Sequence, residues 1–259
     1  MLLENKIAVV YGAGNVGKAV ARAFAADGAR VFLASRTAEK LDAAAGEIRA
    51  AGGEVETATL DVLDSAAVQA HLDGIVGKAD RLDVSFTGVS FRGDLQGRWL
   101  RDMTVEDFLT PIDVAARAHF NTTTAAARQM VKQKSGAIVL LSTTAAGLSG
   151  RDRSGFHQPA GFGVACAAIE ELGRTLAGEL GPHGVRVNCI RSDAISEAWP
   201  KAHEKEWRPA LDWMEDATAL KRLPRLAEVA NAAVFAASDR ASAMTGALLN
   251  ISSGSQMFA

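Results

Sequence analysis

Three glycines set the first chemical expectation. In VVYGAGNVGKAVA, Gly12, Gly14 and Gly17 fall between a β-branched run and an Ala-rich one. A strand-to-helix turn with this spacing suits the pyrophosphate of a dinucleotide. The first glycine permits the tight turn, the second lets the backbone approach the phosphates, and the third lets helix and strand pack closely. The helix N-terminus adds amide donors and the positive end of its dipole. The plainer alternative is a structural Gly-rich turn. Ser35 and Arg36 end the next strand-like run, where an acidic residue would hold the ribose hydroxyls of NAD. A guanidinium and a hydroxyl suit a 2′-phosphate instead, so NADP(H) is favoured over NAD(H), unless Arg36 is only a solvated loop charge. Asp61 closes the third run. It is placed either to accept from the adenine amine or to cap the helix before Ser65.

The elements that must position these residues follow from periodicity. Apolar and β-branched runs predict strands at 7–11, 30–35, 54–60, 82–86, 136–142, 185–190 and 247–251. Stretches rich in Ala, Leu, Glu and Arg predict helices at 16–27, 38–50, 65–78, 112–132, 161–180 and 226–238. The central strands are almost continuously apolar, as expected for strands buried on both faces. The alternation predicts an α/β fold: a single Rossmann-type doubly wound domain over 1–259, with a seven-stranded parallel sheet and helices on both faces. Two stretches break the rhythm. One is TTAAGLSGRDRSGFHQPA, 143–160. The other is 193–225, which carries Trp199, Trp207 and Trp213 and reads as a substrate lid. Both follow strands at their carboxyl ends, where open α/β sheets bind ligands.

Composition narrows the class. The chain has 259 residues, 48% hydrophobic and 22% charged, enough for one sizeable core. A net charge of −2 leaves no basic footprint for nucleic acid or an anionic membrane. No run of about 18 apolar residues predicts a spanning helix. Cys166 and Cys189 do not form a disulfide framework, and MLLENKIAVV lacks the basic start and long apolar middle of a signal peptide. A cytoplasmic protein acting on a small molecule, or on none, is therefore expected. The five histidines show no metal spacing.

ELGPHGVRVNCI (179–190) and RLPRLAEVANAAVFAASDRASAMTGALLNISSG (222–254) are long, specific segments that do not depend on the glycine loop. With them, the chain resembles the short-chain dehydrogenase/reductase family, in particular its 3-oxoacyl-carrier-protein reductase type, over essentially its whole length. The resemblance implies an NAD(P)-dependent oxidoreductase. It also implies a homotetramer or homodimer paired through helices 112–132 and 161–180, for which Ala125–Ala127, Ala165, Ala167, Ala168, Leu172 and Leu176 offer small and apolar surfaces. The family's glycine loop has one more residue; here Tyr11 opens a shortened one. The Asn-Asn-Ala-Gly segment of the family falls on Thr87, Gly88, Val89 and Ser90, and its Pro-Gly on Ser192 and Asp193. Its active-site serine falls on Thr143, between Ser142 and Thr144, and its asparagine near Ala115, with Asp113 close by. The segment from Phe162 to Glu179 aligns without a gap, which puts the catalytic tyrosine on Phe162 and the lysine on Cys166. In the family the tyrosine passes a proton to or from the substrate oxygen, and the lysine lowers its pKa and holds the nicotinamide ribose. Such acid catalysis is typically worth about 10²–10⁴ in rate. Phe162 has no proton to give. Tyr11 is the single tyrosine, and no lysine lies between Lys134 and Lys201. The chain therefore reads as a divergent member lacking the catalytic Tyr and Lys.

Cofactor contacts are expected at Gly12, Gly14, Asn15, Val16, Gly17, Ser35, Arg36, Asp61, Val62, Gly88 and Arg191. Arg191 would bind an anionic group or the diphosphate, or else form a salt bridge with Asp193 or another acid. His157 is either a replacement acid or an exposed loop histidine. Cys166 is either a nucleophile or a buried small residue. The tryptophans either line an apolar pocket or pack a lid helix. Three functions fit: an NADP(H)-dependent oxidoreductase with altered proton chemistry, a catalytically inactive NADP(H)-binding sensor or partner subunit, or a different reaction in the same pocket without net hydride transfer.

Overall fold

The computed structural model describes residues 1–147, 158–199 and 204–257. Among these, seven strands form one sheet: β1 (Ile7–Tyr11), β2 (Arg30–Ser35), β3 (Val55–Thr59), β4 (Val84–Thr87), β5 (Gly136–Thr143), β6 (Val185–Ser192) and β7 (Leu248–Ile251). All pair in parallel, in the order β3-β2-β1-β4-β5-β6-β7. Seven helices connect or follow them: α1 (Asn15–Ala26), α2 (Ala38–Ala50), α3 (Ser65–Ala79), α4 (Val105–Gln133), α5 (Ala160–Leu180), α6 (Glu204–Asp216) and α7 (Leu226–Ala237). Side chains of β1 alternate between two cores. Val9 and Tyr11 enter the core with Val68, Leu72, Ala115 and Ala165 from α3, α4 and α5. Ala8 and Val10 enter the opposite core with Phe24, Leu41 and Val229 from α1, α2 and α7. Burial on both faces is why β1, IAVVY, carries no charged residue. The chain order reverses between β1 and β4, and this switch opens a crevice at the strands' carboxyl ends.

The strands and helices agree with the expected elements to within two residues at nearly every end; α4 and α6 differ. α4 begins at Val105, not at 112. Pro111, which lacks an amide donor, lies inside the helix. The start is set earlier by Thr104, whose Oγ1 accepts from the Asp107 amide at 3.1 Å. α6 lies inside 193–225, where periodicity predicted no helix and a helix was only one reading of the tryptophans. Its Leu211 and Met214 form a small third core with Leu223, against which Ala194, Trp199 and Trp207 pack. The self-complementary surface also needs correction. Ala125–Ala127, Ala165 and Leu176 are buried in the chain's own core, not available to a second copy. The outer faces of α4 and α5 instead expose Phe120 and Val164, with Ala167 and Ala168 beside the latter. Among the described residues, no helix is long and apolar enough to cross a membrane.

The seating of α5 fixes the site. A Cβ at Gly161 would overlap the Phe108 carbonyl oxygen of α4, and one at Gly163 would come within 2.8 Å of the Ala145 carbonyl oxygen just after β5. Only hydrogen at these two positions lets the first turn of α5 lie this close. One to two turns further on, Glu170 is buried against β5 and β6. Arg191 Nε donates to Glu170 Oε1 at 2.7 Å, and Nη2 donates to Oε2. Ser142 Oγ donates to the same Oε1 at 2.8 Å. Arg191 Nη1 reaches Gln256 Oε1 at 3.4 Å, and Gln256 Nε2 donates to the Thr144 carbonyl at 2.7 Å. One buried polar chain thus ties α5, β5, β6 and the segment after β7 together.

Removing one member leaves the other as an uncompensated buried charge, at a typical cost of about 3–5 kcal/mol, whereas an apolar replacement of both is often neutral. Glu170→Gln should therefore lower the urea midpoint sharply, and Glu170→Leu combined with Arg191→Met should recover most of the loss. Equal midpoints for Glu170→Gln and the unmodified chain would show that the pair is not a structural support.

Candidate active site

The glycine loop is built as its spacing implied. Gly12 has φ 112°, in the left-handed region that favours glycine, and a Cβ there would stand 2.5 Å from the Gly88 carbonyl oxygen. A Cβ on Gly17 would overlap the Gly12 carbonyl oxygen. Gly12 and Gly17 therefore serve close backbone packing. Gly14 is different: nothing lies within 4 Å of a Cβ built on it, so its open side is space that a phosphate group fits. Gly14 is also the N-cap of α1 and supplies no side-chain cap bond, so the first-turn amides of Asn15, Val16 and Gly17 are left for an anion. Hydrogen bonds from the Gly12 amide to Ala34 O and from the Gly88 amide to Tyr11 O key the loop into the sheet at 2.8 and 2.9 Å. Asn15 Nδ2 donates to Ala198 O at 3.1 Å, which ties the loop to the stretch after β6.

At the end of β2, Arg36 is exposed and makes no ion pair or hydrogen bond with any described residue. Ser35 Oγ accepts from the Thr37 amide at 3.4 Å. Asp61 does not cap α3. Asp64 does, accepting from the Ala66 and Ala67 amides, while Asp61 Oδ1 accepts from the Leu63 amide at 3.0 Å. Val62 is buried, and its carbonyl accepts from Asn121 Nδ2 of α4 at 2.9 Å.

The structure brings together the positions named by family resemblance. Thr143 Oγ1 and Cys166 Sγ are 3.3 Å apart at the carboxyl end of β5. Thr143 Oγ1 also accepts from the Ala145 amide. Cys166 is fully buried, and that burial pushes its thiol up, so a thiolate nucleophile is disfavoured. Phe162, one turn earlier, stacks on Phe91 with ring centroids 4.7 Å apart and planes 17° from parallel. Phe91 in turn meets His119 edge-on at 6.3 Å. His119 Nδ1 lies 2.9 Å from the Ala115 carbonyl oxygen, which can only accept, so Nδ1 carries the proton. Burial pushes this imidazole down to about 4, and Nε2 is buried without a partner. Sequence reasoning missed Phe91 and His119. The signal for the histidine was its position one turn after Ala115; for the phenylalanine there was none. Tyr11 cannot serve as an acid: it is fully buried, its phenol is pushed up by burial, and its ring packs edge-on to His71 at 5.9 Å.

Arg191 is paired with Glu170, not with Asp193, and the guanidinium expected to face an anion is buried in that pair. Asp193 takes bonds on Oδ1 from Thr144 Oγ1 at 3.1 Å and from the Ala194 amide at 2.7 Å. Trp199 and Trp207 meet edge to face at 5.4 Å within the α6 cluster, so these two pack α6, whereas Trp213 is exposed. His157 lies outside the described residues. No group of three metal-ligating side chains occurs among the described residues.

The arrangement combines an open backbone loop at the start of α1 with a hydroxyl, a thiol and a stacked phenyl ring at the ends of β5 and α5. Comparison with known proteins gives the family. The family model described as enoyl-(acyl carrier protein) reductase matches residues 12–256. An uncharacterized oxidoreductase of Mycobacterium tuberculosis is 35% identical, the match covering 97% of this chain and 92% of the relative. Galactitol 2-dehydrogenase of Rhizobium johnstonii is 32% identical over 97% of this chain and 95% of its own. The solved structure of NAD+-bound xylitol dehydrogenase superposes with a TM-score of 0.86 at 25% identity, covering 98% of this chain and 100% of that one. The chain belongs to the short-chain dehydrogenase/reductase family of oxidoreductases.

Proposed function

We propose that this chain binds NADP(H) and hands its hydride to an acceptor that takes no proton from the protein. One contrast supports the reading: the dinucleotide half is complete, and the proton-donating half is not. Gly14 leaves room for the diphosphate and the α1 amides face it. Arg36 is exposed and unengaged by any described residue, ready for a 2′-phosphate. Gly88, Asp61 and Val62 border the same crevice. When bound, NADPH supplies a hydride from its nicotinamide ring. Thr143 orients the acceptor through its hydroxyl. Phe162 and Phe91 present an apolar wall that excludes water and stacks on flat groups. Quinones and activated alkenes fit such a site, since their reduced anions take a proton from water. The described stretch just after β6, pinned to the glycine loop where Asn15 meets Ala198, acts with α6 as the lid.

The second reading is a catalytically inactive NADP(H)-binding sensor or partner subunit. Fully buried Cys166 and the Phe162–Phe91 stack favour it, because both turn the catalytic positions into packing. A cofactor titration followed by a screen of quinones and activated alkenes, monitored at the nicotinamide absorbance, separates the two. Binding without turnover on any acceptor supports the sensor.

Three outcomes are expected. NADPH should bind more tightly than NADH, and Arg36→Ala should remove most of the difference, about 1.5–3 kcal/mol, in a binding titration. Equal affinities in the unmodified chain would mean that Arg36 points away from the cofactor. Simple ketones should be reduced negligibly. Steady-state ketone turnover near about 10 s⁻¹ would mean that another residue gives the proton, and His157→Ala becomes the first variant to make. The chain should sediment as a homodimer or homotetramer, burying exposed Phe120 and Val164 on α4 and α5; monomer alone at micromolar concentration would refute this.

A further inference from the structure

Among the described residues, four charged side chains of the acidic and basic types are buried: Asp83, Glu170, Arg191 and Asp193. Three of them have a counter-charge. Asp83 pairs with Arg81, and Glu170 with Arg191. Asp193 pairs with no described cation, although it is only 9% exposed. Its Oδ1 is occupied, accepting from Thr144 Oγ1 and the Ala194 amide. Its Oδ2 accepts from no described residue. Oδ2 is not one of the described polar atoms that are buried without a partner, so this carboxylate is sheltered but keeps one oxygen open to solvent or to a ligand.

Its place indicates what completes it. Asp193 follows β6 directly, and its amide donates to Ile251 O at 3.3 Å. Ser192 is in register with Thr143 of β5, so Asp193 stands beside the Thr143–Cys166 contact. The glycine loop lies at the β1–β4 switch, and Arg36 lies beyond it on the β2 side. A dinucleotide spanning this switch puts its adenosine half over β2 and β3 and its nicotinamide half over β4, β5 and β6. The nicotinamide ring is cationic when oxidised and neutral when reduced. Nothing described nearby offsets the Asp193 charge: the Arg191 guanidinium is spent on Glu170, Thr143 and Phe162 are neutral, and Cys166 is a buried thiol.

We infer that Asp193 selects the redox state of the cofactor: its free oxygen pairs with the oxidised nicotinamide, so the chain holds NADP+ more tightly than NADPH. This rests on the proposed NADP(H) site and adds a residue to it. By the thermodynamic cycle, a site that tightens on the oxidised form makes the bound reduced form a stronger hydride donor. That is the bias a chain with no proton to offer would need.

The test is a set of binding titrations on the full chain with NADP+, NADPH and 2′,5′-ADP, repeated on Asp193→Asn. The amide keeps the shape and an acceptor for Thr144 but not the charge. The unmodified chain is expected to bind NADP+ about tenfold more tightly than NADPH. Asp193→Asn should bring that ratio to near one while leaving 2′,5′-ADP affinity unchanged, since that ligand lacks the nicotinamide. Equal or tighter binding of NADPH by the unmodified chain overturns the inference, and this arm decides even if the variant does not fold. An unchanged ratio in a folded variant also overturns it. Binding of none of the three ligands overturns the cofactor reading and this inference together, an outcome distinct from intact binding with the wrong ratio.

Discussion

Glu170 and Arg191 meet beneath the candidate site, and neither charge is tolerable there without the other. Each comes from a different layer. Glu170 is on the helix that carries Phe162 and Cys166, and Arg191 is on the strand that ends at Asp193. Ser142 joins from the strand that ends at Thr143. The pair therefore fixes the relative height of three elements whose ends carry Thr143, Phe162, Cys166 and Asp193. Gly161 and Gly163 fix the approach of the same helix from its other end, where any larger residue would strike the Phe108 and Ala145 carbonyls. Between these anchors, the first two turns of α5 have little freedom. What stands at positions 162 and 166 is delivered to the same place whether or not it can do chemistry.

The two ends of the candidate site rest on different kinds of support. The glycine loop depends on backbone: a left-handed Gly12, the open side of Gly14, and the amides at the start of α1. The ends of β5 and α5 depend on side-chain identity at a few positions. Phe162 is absorbed into a stack with Phe91, and Cys166 into the core beside Thr143. The polar side chains near them are used inside the fold: Ser142 serves Glu170, and Thr144 serves Asp193.

Most of the fold was legible because its signals are local. Strands buried on both faces read as unbroken apolar runs, and the glycine loop carries its own spacing. The departures have physical reasons. The first two turns of α4 were missed: Thr104 caps the helix two turns before 112, and Pro111 lies within it. α6 was hidden because EKEWRPALDWMED holds only a narrow apolar face, and that face closes on Ala194, Trp199 and Leu223 outside the helix. Alanines at 125–127 looked like an external surface because helical periodicity cannot tell an inner face from one meant for a second copy. In the site, spacing identified the glycines and Arg36 as candidates. It left Arg191 undecided, since the choice between a ligand and Glu170 depends on a contact between residues 21 positions apart. Phe91 and His119 lie on different elements, and their link to Phe162 exists only in three dimensions.

Position 166 also sets a condition on redesign. A lysine introduced there alone would carry its ammonium into space closed to water, while Glu170 is already committed to Arg191 and Ser142. A tyrosine introduced alone at 162 would place a hydroxyl where the Phe162 ring stacks on Phe91. Each change by itself is uphill, so the two positions are energetically coupled and have to be altered together.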